Sequence, residues 1–226
     1  LRSLPEPGRE PPAQRNGYVT FGSFNNFAKA SRETLVLWRS VLEAAPRSRL
    51  VIKGKIASVP DGEEEVRARL SGVGIDLSRV DLRPYSPDYL EQYRDIDVAL
   101  DTTQFTGGLT TCEALVMGVP VISLKGGTHA ARIGTSILEN AGLPELVASN
   151  GVEYVKKAAR IAGSLPILVK FHGGLREVVK GSRLMDAKGY MKDMEALYRS
   201  LWEHYCTDNP TGKKDGSKAR LFFHGK

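Results

Sequence analysis

Cysteine is almost absent from this chain. Cys112 and Cys206 are the only two, one inside a helix-forming run and the other near the C-terminal end. They form no disulfide framework, and the pattern implies a reduced, cytoplasmic setting. Histidine is scarce as well: His129, His172, His204 and His224 are scattered, and no Cys/His cluster has metal-ligand spacing, so no metal is expected. No apolar run approaches the roughly 20 residues of a membrane span, and no signal peptide is visible, which excludes a membrane partner from the expectations. Nucleophilic triads, paired catalytic carboxylates and repeats of solenoid period are also missing. The first residue is Leu1 rather than Met, so a piece of something longer is expected.

The net charge of +6 invites a nucleic-acid reading, but its placement argues against one. Lys213, Lys214, Lys218, Arg220 and Lys226 against the single Asp215 put +4 into the last fourteen residues. Gly, Asp, Asn and Pro accompany them, so residues 207–226 read as a solvated, flexible tail rather than a specific nucleic-acid surface. Hydrophobic content of 41% and charged content of 26% suit a soluble globular chain of 226 residues with ample core.

What is present is an alternation of short apolar runs and amphipathic ones. Residues 1–17 hold Pro5, Pro7, Pro11 and Pro12 among charges, the composition of a linker that is extended or disordered. Strands are predicted at 18–24, 49–53, 79–83, 96–100 and 120–124 from β-branched and aromatic alternation or short apolar runs. Helices are predicted between them: Ser31 caps one running to about Ala45 with Leu35, Trp38, Val41 and Leu42 on one face, and others span 63–70, the run after Thr110 and 130–140. Ser86-Pro87-Asp88 opens a short helix through Tyr93. From Gly151 onward the pattern is helical, at 152–162, 167–179 and 186–205. In the last of these Tyr190, Met194, Leu197, Tyr198, Leu201 and Trp202 form a stripe expected to pack.

Five-residue strands alternating with helices of ten or more predict an α/β fold with a doubly wound, Rossmann-like parallel sheet across residues 18–206. Such sheets bind ligands at the carboxyl ends of their strands. The polar and glycine-rich loops at 25–29, 84–89, 102–111 and 125–129 all follow strands, so all should face one crevice. The third of these, Phe105-Thr-Gly-Gly-Leu-Thr-Thr-Cys-Glu113, joins two glycines to a helix start carrying two hydroxyls and a carboxylate. Unpaired N–H groups and the dipole at such a start suit an anion, which points to a phosphate or nucleotide.

Several motifs in fixed order then carry a resemblance. Phe21-Gly-Ser-Phe-Asn-Asn26 with Lys29, Leu100-Asp101-Thr102, Thr110-Thr-Cys-Glu-Ala-Leu115, Met117-Gly-Val-Pro120, His129-Ala130 and Tyr198-Arg-Ser-Leu-Trp202 with Tyr205-Cys206 resemble the SPINDLY / O-GlcNAc transferase family. The likeness runs from about Tyr18 to Cys206 and is nearer the SPINDLY branch. It implies a glycosyltransferase of the two-Rossmann GT-B architecture, of which this is the C-terminal, donor-holding half. Family members carry tetratricopeptide repeats and an N-terminal catalytic half upstream. They transfer N-acetylglucosamine from UDP, or fucose from GDP, to Ser/Thr hydroxyls of proteins with inversion and without a metal. The implied partners are a nucleotide sugar and an acceptor protein engaged through the upstream half and repeats.

The resemblance also assigns residues. Lys29 falls where the family has its essential lysine, and a fixed ammonium there would stabilise charge leaving on the diphosphate. Asn26 stands where part of the family has a glutamine touching the diphosphate. Thr110, Thr111 and the backbone around Gly108 and Leu109 are expected to bind that diphosphate, although the same hydroxyls could merely cap a helix. Gly108 replaces a histidine of the UDP-N-acetylglucosamine branch. Glu113 is placed to accept the ribose hydroxyls, and Pro84 to Tyr89 to form the base pocket, with Tyr89 in place of a stacking histidine or else core-facing. His129 and Arg132 are expected beside the phosphate or sugar, His129 kept neutral at a helix start. Asp101 either orders loop backbone or touches ligand. Two other readings remain: a non-catalytic nucleotide-sugar-binding or scaffolding module, and a GT-B enzyme with a non-protein acceptor.

Overall fold

The computed structural model describes residues 4–208, and the chain divides at Met185/Asp186 into two units. The first holds a six-stranded parallel sheet: β1 (Thr20–Ser23), β2 (Arg49–Lys53), β3 (Val80–Arg83), β4 (Val98–Leu100), β5 (Val121–Leu124) and β6 (Val147–Ala148). Its helices are α1 (Pro12–Asn16), α2 (Arg32–Ala44), α3 (Gly62–Ser71), α4 (Leu109–Val116), α5 (Ile133–Asn140), α6 (Gly151–Ala162) and α7 (Leu165–Lys180). The second unit, within the described residues, is α8 (Ala187–Asp208). No described helix is long and apolar enough to cross a membrane.

The sheet order is β3-β2-β1-β4-β5-β6. Strands run outward from β1 in one direction and from β4 in the other, so right-handed crossovers send the two sets of helices to opposite faces. α2 packs beside α6, and α4 beside α5 and α7. The order reverses between β1 and β4, which pair through Phe21–Val98 and Gly22–Ala99, and the carboxyl ends of those two strands flank the crevice such a reversal opens.

Helix α2 illustrates how the sequence builds this. Ser31 Oγ accepts the Thr34 N–H at 3.3 Å and so caps the first turn. Leu35, Trp38, Val41 and Leu42 are all buried on the sheet side, and burial of each such side chain stabilises by roughly 1.5–3 kcal/mol. Two elements depart from the expectations. The 87–93 segment is not a capped helix but a turn followed by a 3-10 stretch at Glu91–Asp95, because Ser86 Oγ is engaged by Lys53 and Gln92 rather than by the next turn. The last helix also differs: Tyr190, Leu197, Tyr198, Leu201, Trp202 and Tyr205 are exposed rather than packed, since α8 is the only element of its unit among the described residues.

Residues 4–17 are strapped onto the first unit. Arg176 donates to the Pro5 carbonyl at 2.8 Å, and Arg94 to the Glu6 carbonyl at 2.7 and 3.0 Å. The buried Asp97 carboxylate then accepts from Ala13 N and Thr20 N at 2.8 and 2.7 Å, joining α1 to β1, while its burial pushes its pKa up to about 6. Of the tail expected at 207–226, Thr207 and Asp208 end α8 and the rest lies outside the described residues.

Candidate functional site

The turn after β4 is organised by Asp101, a carboxylate with only 1% of its surface exposed. Its Oδ1 accepts from Gly107 N (2.7 Å), Thr102 N (2.8 Å) and Asn25 Nδ2 (3.2 Å), and its Oδ2 from Ser123 Oγ (2.8 Å). Tyr154 Oη and Trp38 Nε1 both donate to its carbonyl, at 2.9 and 3.4 Å. Burial raises its pKa to about 6 against the pull of these donors. Of the two roles open to Asp101, the geometry assigns it the ordering of the loop.

Asn25 carries that order across to the next element. Its Oδ1 accepts from Thr110 Oγ1 at 2.8 Å while its amide bonds Asp101. Gly107 has no room for a side chain here: a Cβ would run into Thr111 Oγ1 and would lie 2.9 Å from Thr110 Oγ1 and 3.2 Å from Asn25 Oδ1. The hydroxyl of Thr110 is therefore spent on Asn25 and not on helix capping. Gly108 takes the N-cap of α4 with no side-chain cap, so the leading N–H groups of that helix face the crevice unclaimed by a side chain. Beneath this turn, among Ser23, Asn25, Asp101 and Thr111, a space of only about 20 Å³ remains, so the turn is closely packed from below.

Lys29 stands opposite. It closes a 3-10 turn (Phe27–Lys29) that Asn26 caps, Asn26 Oδ1 accepting from Ala28 N at 3.1 Å. The Lys29 ammonium lies 3.5 Å from the Thr106 carbonyl and 3.9 Å from the centre of the Phe105 ring, so it sits at the lip of the glycine turn. Asn26 itself is exposed, and the amide within the turn's network is that of Asn25. The only hint of this in the sequence was the adjacency of two asparagines.

On the third side, Tyr89 Oη donates to Glu113 Oε1 at 2.5 Å. This bond, with burial, pushes the Tyr89 pKa up to about 12, and burial raises that of Glu113 despite the bond. Tyr89 and Glu113 are both half-buried and tied to each other. Tyr93 supplies the buried tyrosine, packing on Phe24 at 4.3 Å and donating to the Thr110 carbonyl at 3.2 Å. Pro84 is exposed, and its carbonyl accepts from the ammonium of Lys53, a buried residue that sequence reasoning passed over as part of a strand.

His129 and Arg132 are exposed at the turn before α5. Thr106 joins this turn to the glycine loop: its N–H and hydroxyl both donate to the Ala130 carbonyl, and its Oγ1 accepts from Gly134 N at 2.9 Å. Arg132 donates to the Gly127 carbonyl at 2.7 Å. A hollow of about 600 Å³ is bounded by Lys125, His129, Arg132 and one face of α5. Leu109, 74% exposed, projects from the α4 start. The described residues contain no group of three or more His, Cys, Asp or Glu set to hold a metal.

With this geometry in place, comparisons give it a context. The model of glycosyl transferase family 41 matches residues 10–194. A probable UDP-N-acetylglucosamine–peptide N-acetylglucosaminyltransferase SPINDLY from Solanum lycopersicum is 39% identical over 86% of this chain and 21% of its own length. A UDP-N-acetylglucosamine–peptide N-acetylglucosaminyltransferase from Caenorhabditis elegans is 30% identical over 85% of this chain and 17% of its own. Among solved structures, the K341M mutant of Thermobaculum terrenum O-GlcNAc transferase superposes with a TM-score of 0.81 at 33% identity, covering 92% of this chain and 39% of that one. The sheet and helices match the C-terminal half of a GT-B glycosyltransferase. The chain spans about one-fifth of the length of the curated SPINDLY relatives.

Proposed function

The chain belongs to glycosyltransferase family 41, and from that premise we propose that it is the donor-binding half of an inverting, metal-independent protein O-glycosyltransferase. The donor is a nucleoside diphosphate sugar, UDP-N-acetylglucosamine or GDP-fucose, and the acceptor is a Ser or Thr hydroxyl of a protein held by the upstream half and its repeats. The two free cysteines accord with a cytoplasmic setting.

In this reading the diphosphate lies on the N–H groups opening α4, beside Thr110 and Thr111, with Gly108 and Leu109 supplying backbone approach. The Glu113 carboxylate takes the ribose hydroxyls, and the base lies along Pro84–Tyr89. His129 and Arg132 reach the sugar or phosphate from the α5 side, and Asn26 approaches the diphosphate from the rim. The acceptor oxygen forms its bond to the anomeric carbon from the face opposite the diphosphate. The carbon–oxygen bond to the β-phosphate breaks, its electron pair stays on that phosphate, and the acceptor proton passes to a base outside the residues assigned here. Lys29 meets the charge that develops on the phosphate.

The observation that carries the proposal is the Lys29 ammonium at 3.5 Å from the Thr106 carbonyl, fixed at the edge of an uncapped helix start. That position beside the glycine turn supports the charge-stabilising role over that of a solvated lysine before a helix. Lys29→Ala, in the protein as its gene encodes it, is expected to lower turnover by about 100-fold or more, the scale of losing one preorganised charge stabiliser. Donor affinity should change far less. Affinity that falls with turnover unchanged removes Lys29 from the chemistry.

A further inference from the structure

Lys53 is the only buried lysine among the described residues, 4% exposed, and it closes β2 at the carboxyl edge of the sheet. Burying an ammonium is costly unless its donors are met, so what it bonds is informative. Lys53 pairs in register with Arg83, the last residue of β3, and the loop toward Tyr89 begins immediately after. Its Nζ donates to the Pro84 carbonyl at 2.5 Å and to Ser86 Oγ at 2.9 Å. Ser86 Oγ also accepts from Gln92 Nε2 at 2.8 Å. Tyr85 N is held from the same side, donating to Ser58 Oγ at 2.9 Å. Three residues after Ser86, Tyr89 reaches across to Glu113. The ammonium is thus the first anchor of a chain of contacts from the end of β2, through the loop, to the carboxylate on α4.

We propose that Lys53 is a positioning residue for nucleoside recognition: without touching the donor, it holds the 84–89 loop so that Tyr89 and Glu113 meet the base and ribose. This rests on the donor-site reading above. It adds a division of labour within that site. The diphosphate half is ordered by Asp101 and Asn25 after β4 and β1, and the nucleoside half is ordered independently by Lys53 after β2. Among the described residues no hydrogen bond joins Lys53 to Asp101 or Asn25, so loss of one anchor should leave the other intact. Burial also lowers the Lys53 pKa, with Asp88 opposing that shift.

The test compares ligands with and without a nucleoside, using the protein as its gene encodes it. GDP, UDP and inorganic pyrophosphate are titrated into wild type, Lys53→Met, Lys53→Arg and Ser86→Ala, and donor KM and kcat are measured alongside. Lys53→Met should weaken the nucleoside diphosphate that wild type binds by about tenfold, the loss of charge-assisted hydrogen bonds, with KM rising in parallel. Pyrophosphate affinity and kcat should stay within about twofold of wild type, and Lys53→Arg should restore most of the loss. Nucleotide affinity unchanged in Lys53→Met overturns the inference, as does an equal loss for pyrophosphate. Ser86→Ala removes one of the two bonds without stranding a charge. It should give a smaller loss of the same selectivity, and no loss there counts against the inference even if Lys53→Met does not fold. A wild-type protein that binds neither nucleotide brings down the donor-site reading itself, which is a separate outcome.

Discussion

Asp101 has no route to water and therefore trades solvation for geometry. Four donors converge on its two oxygens, and the loop that follows takes its shape from them. The folded pKa of about 6 against an ordinary 3.8 means that the folded protein keeps a proton which the unfolded chain releases. The stability this contributes is present in full below about pH 4 and is lost as pH rises through about 6. Asp101→Asn carries no such proton. Its unfolding free energy, measured by denaturant at pH 4.5 and 7.5, should fall less across that interval than wild type's, by about 2 kcal/mol. Asp97, with the same raised pKa, is present in both proteins and cancels. Parallel pH slopes for the two would mean that Asp101 holds no extra proton. Tyr89 and Glu113 make a second pairwise coupling at this scale: one hydrogen bond raises the pKa of the phenol and lowers that of the carboxyl, while burial raises both.

At the scale of elements, the glycine turn shows why two adjacent glycines are not equivalent. A Cβ on Gly107 would press first on Thr111 Oγ1 and then on Thr110 and Asn25, whereas a Cβ on Gly108 would meet only Ile133 Cγ2, at 3.8 Å. Gly107→Ala should therefore cost about 1–3 kcal/mol of stability, as overpacking does, and should displace Thr110 enough to weaken nucleotide binding. Gly108→Ala should leave both nearly unchanged, which urea unfolding and nucleotide titration of the pair will check. Equal costs at the two positions would mean that the turn gives way to a Cβ at either one. α8 is the contrary case: helical periodicity placed its aromatic residues on one stripe, but periodicity does not say what the stripe faces. Here Trp202 and Tyr205 stack on each other at 5.7 Å and remain exposed.

For the whole molecule, the reversal of strand order between β1 and β4 matters most. It brings the turn carrying Lys29 and the turn carrying Gly107 to the two sides of one crevice, flanked by the loops that follow β3 and β5. A crevice of this kind is one wall of a two-domain site, and the chain spans 39% of the O-GlcNAc transferase it superposes on. The 226 residues alone are expected to bind a nucleotide sugar weakly and to transfer sugar little or not at all. Calorimetry with UDP-N-acetylglucosamine, GDP-fucose, UDP and GDP, followed by a transfer assay, measures both. Robust transfer by these residues alone would contradict the assignment of the remaining groups to another part of the protein.

The alternation of short apolar runs with amphipathic ones was enough to place five of the six strands and the main helices, because both periodicities follow from local geometry. The two-residue β6 was too short to leave a pattern. That the loops carrying Lys29, Tyr89 and the glycine-threonine turn come to one edge was also legible, since each follows a strand of a parallel sheet. What the sequence could not decide was which side chains meet. Asn25 rather than its neighbour enters the turn, Tyr89 closes on Glu113 twenty-four residues away, and Lys53 anchors a loop thirty-one residues further on. Those pairings depend on strand order and register. They are set only when non-local contacts bring distant carboxyl ends to one edge of the sheet, and no local preference encodes that distance.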